Sequence, residues 1–156
     1  MRPAAPFVLI TLLAAPLALA GPPWQDAQLL RILPTARSVR GGFDVVEELP
    51  VDPRGDPDFR EWGVQAQRAR HYTRDTRAGI QVCSLEVWAF RDRAQAAAVG
   101  AGFQSVGWEF VQRGSVLLMA RGLTRPRHAP PRHGVFPECH AILGQAVERA
   151  PSAPKS

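Results

Sequence analysis

The sequence has almost no lysine and no long hydrophobic run after its N-terminus. Lys155 is the only lysine among the 19 basic residues, an arginine preference that is typical of codon choice in a GC-rich genome. The high isoelectric point, about 10.5, therefore does not indicate a nucleic-acid partner. Beyond the first twenty residues no apolar run approaches the roughly 20 residues that a membrane helix needs, so no transmembrane segment is predicted there.

The common local signatures of catalysis are also missing. The sequence contains no glycine-flanked nucleophile elbow, no His-Glu-x-x-His pair and no glycine-rich phosphate loop. It also offers no motif for a cofactor. Folding brings catalytic groups together without a local motif, so an enzyme stays open as a hypothesis. The candidates for that hypothesis are His71 and Asp75, which could orient one another, and Ser84 or Ser115 as a nucleophile, but no motif joins these residues.

The first twenty residues have the three parts of a secretory signal peptide. These are Arg2, an apolar run from Phe7 to Leu19, and Ala18-Leu19-Ala20 before Gly21 as the cleavage site. No cysteine follows the run to accept a lipid, and no twin-arginine pair precedes it. We therefore expect cleavage before Gly21 and export to the periplasm or the medium, with an uncleaved anchor as the alternative. Loss of Arg2 takes the basic residues from 19 to 18 against 14 acids, a net charge of about +4.

The remaining length limits the number of domains. About 130 residues separate the signal peptide from the proline-containing tail, enough for one ordinary core and too few for two. The sequence therefore predicts a signal peptide over 1–20, a single α+β domain over 21–150 and a disordered tail over 151–156.

Periodicity and turn residues predict the outer elements of that domain. Residues 62–72 fit either a strand or a helix, and we favour a strand over the second half. The other predicted elements are a helix over Trp24–Leu33, a strand over Phe43–Leu49, a loop over Pro50–Asp58, strands over Trp108–Gln112 and Ser115–Ala120 joined at Arg113-Gly114, and a basic extended segment over Gly122–Gly134.

The strand Ile80–Phe90 is the predicted centre of the sheet, and two helices follow it. Asp92 is placed to cap the first helix, whose stripe of small residues (Ala94, Ala97, Ala98 and Ala101) is expected to face the sheet. Pro137 suits the first turn of the last helix, whose apolar stripe runs from Cys139 to Ala150. We predict a four- or five-stranded, mainly antiparallel sheet with both helices on one face, in strand-helix-strand-strand-helix order.

The two cysteines have positions that favour a disulfide. Cys83 lies on the wholly apolar face of the central strand, and Cys139 lies on the apolar stripe of the last helix. In an exported chain such a pair is expected to be oxidised. The alternative is two buried free thiols that pack as small hydrophobic side chains.

Histidines and arginines cluster in the segment before the last helix. His128, His133 and His140 are metal-ligand types, but Cys139 and His140 are neighbours about 100° apart on a helix, which makes a shared ion impossible without unwinding. A solvated basic loop is the favoured interpretation. The arginines at 68, 70, 74, 77, 121, 125, 127 and 132 suggest an anion-binding surface, although the acidic stretch 44–61 favours charge compensation within the domain.

One stretch resembles a pattern in uncharacterised exported bacterial α+β domains. In that pattern a strand runs into an alanine-rich helix opened by Asp and followed by an Arg-Gly hairpin. The matching residues here are Leu85–Phe90, Asp92, Ala96-Ala97-Ala98 with Phe103, and Arg113-Gly114. The similarity covers about a quarter of the chain. It implies a shared fold and transfers no functional residue.

The predicted export, the predicted disulfide and the missing catalytic motifs favour one function above the others. This is a non-catalytic extracytoplasmic module that binds a partner protein or a small ligand. Its expected contact surface comprises Trp88, Trp108, Arg125, Arg127, His128, Arg132 and His133. The alternative is a small metal-dependent or hydrolytic enzyme that uses His71 or the group of His128, His133 and His140.

Overall fold

Two long antiparallel strands form the centre of the protein. They are β2 (Val64–Thr76) and β3 (Gly79–Phe90), which pair over their whole length. The computed structural model describes residues 24–48, 52–53, 55–103 and 108–151. The predicted signal peptide and residues 152–156 of the predicted tail lie outside these residues.

One antiparallel sheet contains all the strands of the described residues. Its order is β1-β2-β3-β5-β4, and a short sixth strand, β6, pairs with the far end of β5. The remaining strands are β1 (Asp44–Glu47), β4 (Glu109–Arg113), β5 (Val116–Pro126) and β6 (Arg132–His133). The predicted α+β class and antiparallel sheet are confirmed, with one short strand more than expected.

The first face of the sheet, which we call the α4 face, carries the larger core. Helices α1 (Asp26–Ile32) and α4 (Pro137–Arg149) cover it. Alternate residues of β3 point to this face because side chains alternate along a strand. As predicted, Cys83, Leu85, Val87 and Ala89 are fully buried there.

The opposite face, the α3 face, has a second core at one end. Helices α2 (Pro57–Trp62) and α3 (Arg93–Phe103) pack there over the end of β3 that contains Trp88 and Phe90. The prediction that the Asp92 helix and the Cys139 helix share one face is therefore wrong. Because β3 leaves the sheet at Phe90, which points away from the α4 face, the chain enters α3 on the opposite side.

The α3 helix also presents a different stripe from the one predicted. Ala94, Ala97, Ala98 and Ala101 are exposed, whereas Ala96 and Gly100 face the sheet. A Cβ at Gly100 would lie 3.2 Å from side-chain atoms of Leu117 and Phe110. Glycine at this position therefore permits the close approach of helix and sheet. The predicted cap is confirmed, since the Gln95 amide donates to Asp92 Oδ1 at 2.9 Å.

The predicted disulfide is confirmed. Cys83 of β3 and Cys139 of α4 are bonded, with their Cα atoms 5.4 Å apart. Both residues are fully buried. The bond therefore fixes α4 against the central strand from inside the core.

Two further elements differ from the prediction, and the strand favoured for the second half of residues 62–72 is confirmed. Asp56 accepts the amide hydrogens of Asp58 and Phe59 and so begins α2 inside the segment expected to be only loop. The ambiguous segment after Trp62 is strand from Val64 onward. The basic segment after Gly122 is not a crossing loop, because β5 continues to Pro126 and β6 turns back along it. None of the helices in the described residues is both long and apolar enough to cross a membrane.

Candidate functional site

The α3 face is covered at one end only, and the rest of it carries polar side chains. We call this part the open half and define it by His71, Ser84, Arg121 and His133 with the residues between them. Val46 and Ile80, at its margins, are the large hydrophobic side chains most exposed among the described residues, at 57% and 45%. The open half is therefore an accessible surface with both polar and apolar groups.

A chain of three side chains crosses the open half from strand to strand. His71 of β2 lies directly opposite Ser84 of β3, and its Nδ1 is 2.8 Å from the Ser84 hydroxyl. The other ring nitrogen, Nε2, contacts the carboxylate of Glu48, just beyond β1. A carboxylate only accepts hydrogen bonds, so Nε2 carries a hydrogen. In the tautomer with its single hydrogen on Nε2, the Nδ1 atom of His71 accepts the hydrogen bond from the Ser84 hydroxyl.

A hollow of about 240 Å³ lies on the other side of Ser84. Its lining comprises Val82, Ser84, Arg121, Leu123 and His133. Arg121 lies opposite Ser84 in the β3–β5 register, and its guanidinium carbon is 5.7 Å from the centre of the Trp108 ring. The hollow thus combines a cation, a hydroxyl and an imidazole with two aliphatic side chains.

Arg121 differs from four of the arginines that the sequence grouped with it. Arg68, Arg70, Arg74 and Arg127 form ion pairs with Asp26, Glu47, Glu138 and Asp75 respectively. Within the described part of the chain no carboxylate pairs with Arg121. Internal charge compensation therefore accounts for four arginines, mostly through acids outside the 44–61 stretch. Arg77, Arg121, Arg125 and Arg132 have no such pair among the described residues, and of these four Arg121 lines the hollow.

Glu86 borders the open half on the side of α3. Burial raises the pKa of its carboxyl above 4.5, and hydrogen bonds from the Trp88 indole and the Gln67 amide oppose that rise. The Trp88 Nε1 donates to Glu86 at 2.8 Å. Gln67 is only 4% exposed, and its Oε1 has no hydrogen-bond partner among the residues that the structure describes. A protonated Glu86 would supply a donor beside that acceptor.

The raised pKa of Glu86 predicts a pH-dependent loss of stability. Between pH 4.5 and the higher folded pKa, the folded protein keeps a proton that the unfolded chain has released, so stability falls as pH rises. Replacing Glu86 with Gln should remove this fall. Unfolding free energies of the wild type and E86Q, measured by urea denaturation at a series of pH values, test the expectation.

Glu138 provides a control of opposite sign. The hydrogen bond from Arg74 lowers the pKa of its carboxyl below 4.5, so its contribution is present above pH 4.5 and is lost as pH falls. The wild type should therefore lose stability relative to E138Q on the acid side only. If the difference between wild type and E86Q does not change with pH, Glu86 is not the buried group described.

The two tryptophans that the sequence proposed as contacts have different environments. Trp88 is 5% exposed and stacks within an aromatic cluster with Phe59, Trp62 and Phe103. The prediction that Trp88 is an exposed contact residue is therefore wrong, because α2 and α3 cover its side chain. Trp108 is half-buried beside Arg121 and borders the open half.

The basic segment contributes two residues to the lining of the hollow, Leu123 and His133. Arg127 is paired with Asp75, while Arg125, His128 and Arg132 are exposed outside the lining. His140 pairs with Glu109 at 2.8 Å and belongs to α4, on the other side of the sheet from His133. In the described ranges, no three His, Cys, Asp or Glu side chains lie close enough together to hold a metal ion.

The sequence named His71 and Ser84 but gave His71 the wrong partner. Asp75 is four residues away along an extended strand, about 13 Å. The actual partner, Glu48, comes from the segment after β1, and its approach depends on the β1–β2 register. No local pattern near His71 carries that information.

A larger cleft lies between α2 and α3. Its volume is about 560 Å³, and its lining is Glu61, Trp62, Gln95, Ala98, Val99, Gly102 and Phe103. The lining is mostly apolar. The chemically diverse groups meet instead in the open half.

No family model, curated protein or solved structure matches this chain. The function is therefore argued from the geometry of the site.

Proposed function

We propose that the protein is an exported binding module that holds a small anionic ligand, a carboxylate or a phosphate, in the hollow of the open half. The observation that carries this proposal is the position of Arg121, which lines the hollow. Its guanidinium is exposed and has no carboxylate partner among the described residues, although four other arginines are paired. A guanidinium presents parallel N–H donors that match the oxygens of a carboxylate or phosphate.

The neighbours of Arg121 suit the rest of such a ligand. Ser84 and His133 line the same hollow and add hydrogen-bonding groups, while Val82 and Leu123 provide apolar contact. The hollow, about 240 Å³, is smaller than the roughly 300–1,000 Å³ of typical drug-sized sites. The ligand is therefore a small anion rather than a large cofactor.

Two features support an extracytoplasmic location. The N-terminal twenty residues have the composition of a secretory signal. The Cys83–Cys139 disulfide is of the kind that persists in oxidising compartments. Both agree with a module that meets its ligand in the periplasm or the medium.

Replacing Arg121 with Gln tests the proposal. Loss of charge-assisted hydrogen bonds, each roughly 1.5–3 kcal/mol, should weaken anion binding about tenfold or more. The measurement is isothermal titration calorimetry with inorganic phosphate and with acetate at an ionic strength of about 0.1 M. Binding should weaken as salt is added, because the contact is partly exposed.

Arg125 provides the matched control. It is exposed on the same strand and the same side of the sheet, four residues further on. R125Q should leave the affinity within about twofold of the wild type, since that distance exceeds one Debye length at moderate salt. Equal weakening by R121Q and R125Q, or no binding of either anion, would overturn the proposal.

A further inference from the structure

The open half also contains the parts of an acyl-transfer site. We propose that Ser84 is a nucleophile, with His71 as its general base and Glu48 as a positioning residue, and that its substrates are small acyl esters. The inference rests on the proposed function in one respect, because it uses the anion position at Arg121.

The geometry places the proton acceptor directly at the nucleophile. The Ser84 hydroxyl is 2.8 Å from His71 Nδ1, within the range that a general base needs. Glu48 contacts the opposite nitrogen, which fixes the tautomer and stabilises the imidazolium that forms. Three neighbouring strand segments thus supply nucleophile, base and positioning carboxylate without a nucleophile elbow.

The chemical step balances with these groups. Ser84 Oγ bonds to the ester carbonyl carbon as its proton passes to His71 Nδ1. The carbon–oxygen bond to the alcohol then breaks, and the leaving alcohol takes that proton from His71. Water attacks the acyl-serine in the same way, which releases the acid and restores Ser84.

Arg121 is the group placed to stabilise the carbonyl oxygen as it becomes negative. Ser84 lies in a central strand between β2 and β5, so its own amide is used by the sheet ladder. A side chain must therefore take the role of oxyanion donor. Arg121 is directly opposite Ser84 and lines the same hollow; residues paired in this way have Cβ atoms about 5 Å apart.

The openness of the site determines the expected rate. His71 and Glu48 have side chains 29% and 44% exposed, so water is not excluded from the relay. Electrostatic stabilisation is weaker in such a site than in a closed one. We therefore expect slow turnover, with acylation of Ser84 as the most direct observable.

The test uses p-nitrophenyl acetate and the full folded protein. Release of nitrophenolate is followed by absorbance, and the acetylated residue is located by peptide mass spectrometry. One acetyl group on Ser84 is expected. S84A should abolish that adduct, and H71Q should slow acylation about 100-fold or more.

Ser115 is the control serine. It lies between β4 and β5, and its hydroxyl accepts from the Trp24 indole at 3.3 Å rather than from a histidine. S115A should therefore acylate at the wild-type rate. Circular dichroism and the midpoint of thermal unfolding confirm that each variant is folded.

Glu48 is tested by its effect on His71. Replacing Glu48 with Gln should change the ratio of the two His71 tautomers, read from the imidazole ¹⁵N chemical shifts, and should slow acylation. An unchanged tautomer ratio would remove Glu48 from the proposal.

The outcomes separate this inference from the proposed function. Absence of acetyl on Ser84, or Ser84 acylation unaffected by H71Q, overturns the acyl-transfer site while phosphate and acetate binding at Arg121 stands or falls independently. If R121Q abolishes anion binding and leaves the acylation rate unchanged, Arg121 is not the oxyanion donor.

Discussion

Replacing both Cys83 and Cys139 with alanine is expected to lower the free energy of unfolding by about 4 kcal/mol. The disulfide joins residues 56 positions apart, so it removes much of the freedom of the unfolded chain. Both sites are fully buried, and alanine leaves no reactive thiol at either of them. Urea denaturation of the oxidised wild type and of the double variant gives the difference.

The reduced wild type separates the bond from the side chains. In the presence of a reductant strong enough to reach the core, its stability should approach that of the double variant. A difference below about 1 kcal/mol between the oxidised protein and the double variant would contradict this account.

Replacing Arg70 with Met is expected to lower the free energy of unfolding by about 3 kcal/mol. Arg70 is 7% exposed, and its Nη1 donates to the carbonyl oxygens of Leu33 and Pro34 at 2.6 and 3.1 Å. Its Nε and Nη2 bind the Glu47 carboxylate. One side chain therefore connects β2 to β1 and to the segment that follows α1.

The loss of unfolding free energy stays near this value because the carbonyl oxygens of Leu33 and Pro34 keep other hydrogen-bond donors. The Tyr72 hydroxyl donates to the Pro34 oxygen at 2.8 Å, and Arg149 reaches the Leu33 oxygen at 3.5 Å. Methionine also preserves the apolar part of the arginine side chain.

Arg68 supplies the comparison for Arg70. It lies two residues earlier on the same face of β2 and pairs with Asp26, whose side chain is 53% exposed. Among the described residues Arg68 makes no hydrogen bond to a backbone carbonyl, so R68M loses only this partly exposed ion pair and should cost less than about 1 kcal/mol. Equal losses from R68M and R70M in urea denaturation would show that buried hydrogen bonding does not distinguish the two arginines.

Elements whose residues carry their own periodicity were predictable from the sequence. The alternation along β3 and the helical stripe from Cys139 to Ala150 place the two cysteines inward, and the structure bonds them. Asp92 and Gly114 identified a cap and a turn from their local chemistry. These features depend on neighbours a few residues away.

The placement of α3 was not predictable in the same way. Its alanine stripe is apolar by composition, yet Ala96 and Gly100 face the sheet because the available groove is set by Leu117 and Phe110. Small side chains distinguish the faces of a helix poorly, so the residues of α3 do not indicate strongly which of its faces meets the sheet. The prediction placed α3 and α4 on one face of the sheet, whereas they lie on opposite faces.

The candidate site depends on strand register. His71 meets Ser84 through the β2–β3 pairing, Arg121 meets Ser84 through the β3–β5 pairing, and Glu48 reaches His71 from beyond β1. Each residue is ordinary in its own segment. Only the long-range pairing of the strands brings them together, and no pattern within one segment encodes it.

The most direct test of the ligand site is a two-dimensional ¹H–¹⁵N NMR titration of the folded protein with inorganic phosphate. The account predicts saturable shifts confined to the backbone amides around His71, Ser84, Arg121 and His133, and their loss in R121Q. Shifts centred on the cleft beside Trp62 and Phe103, or spread evenly over the exposed arginines, would contradict it.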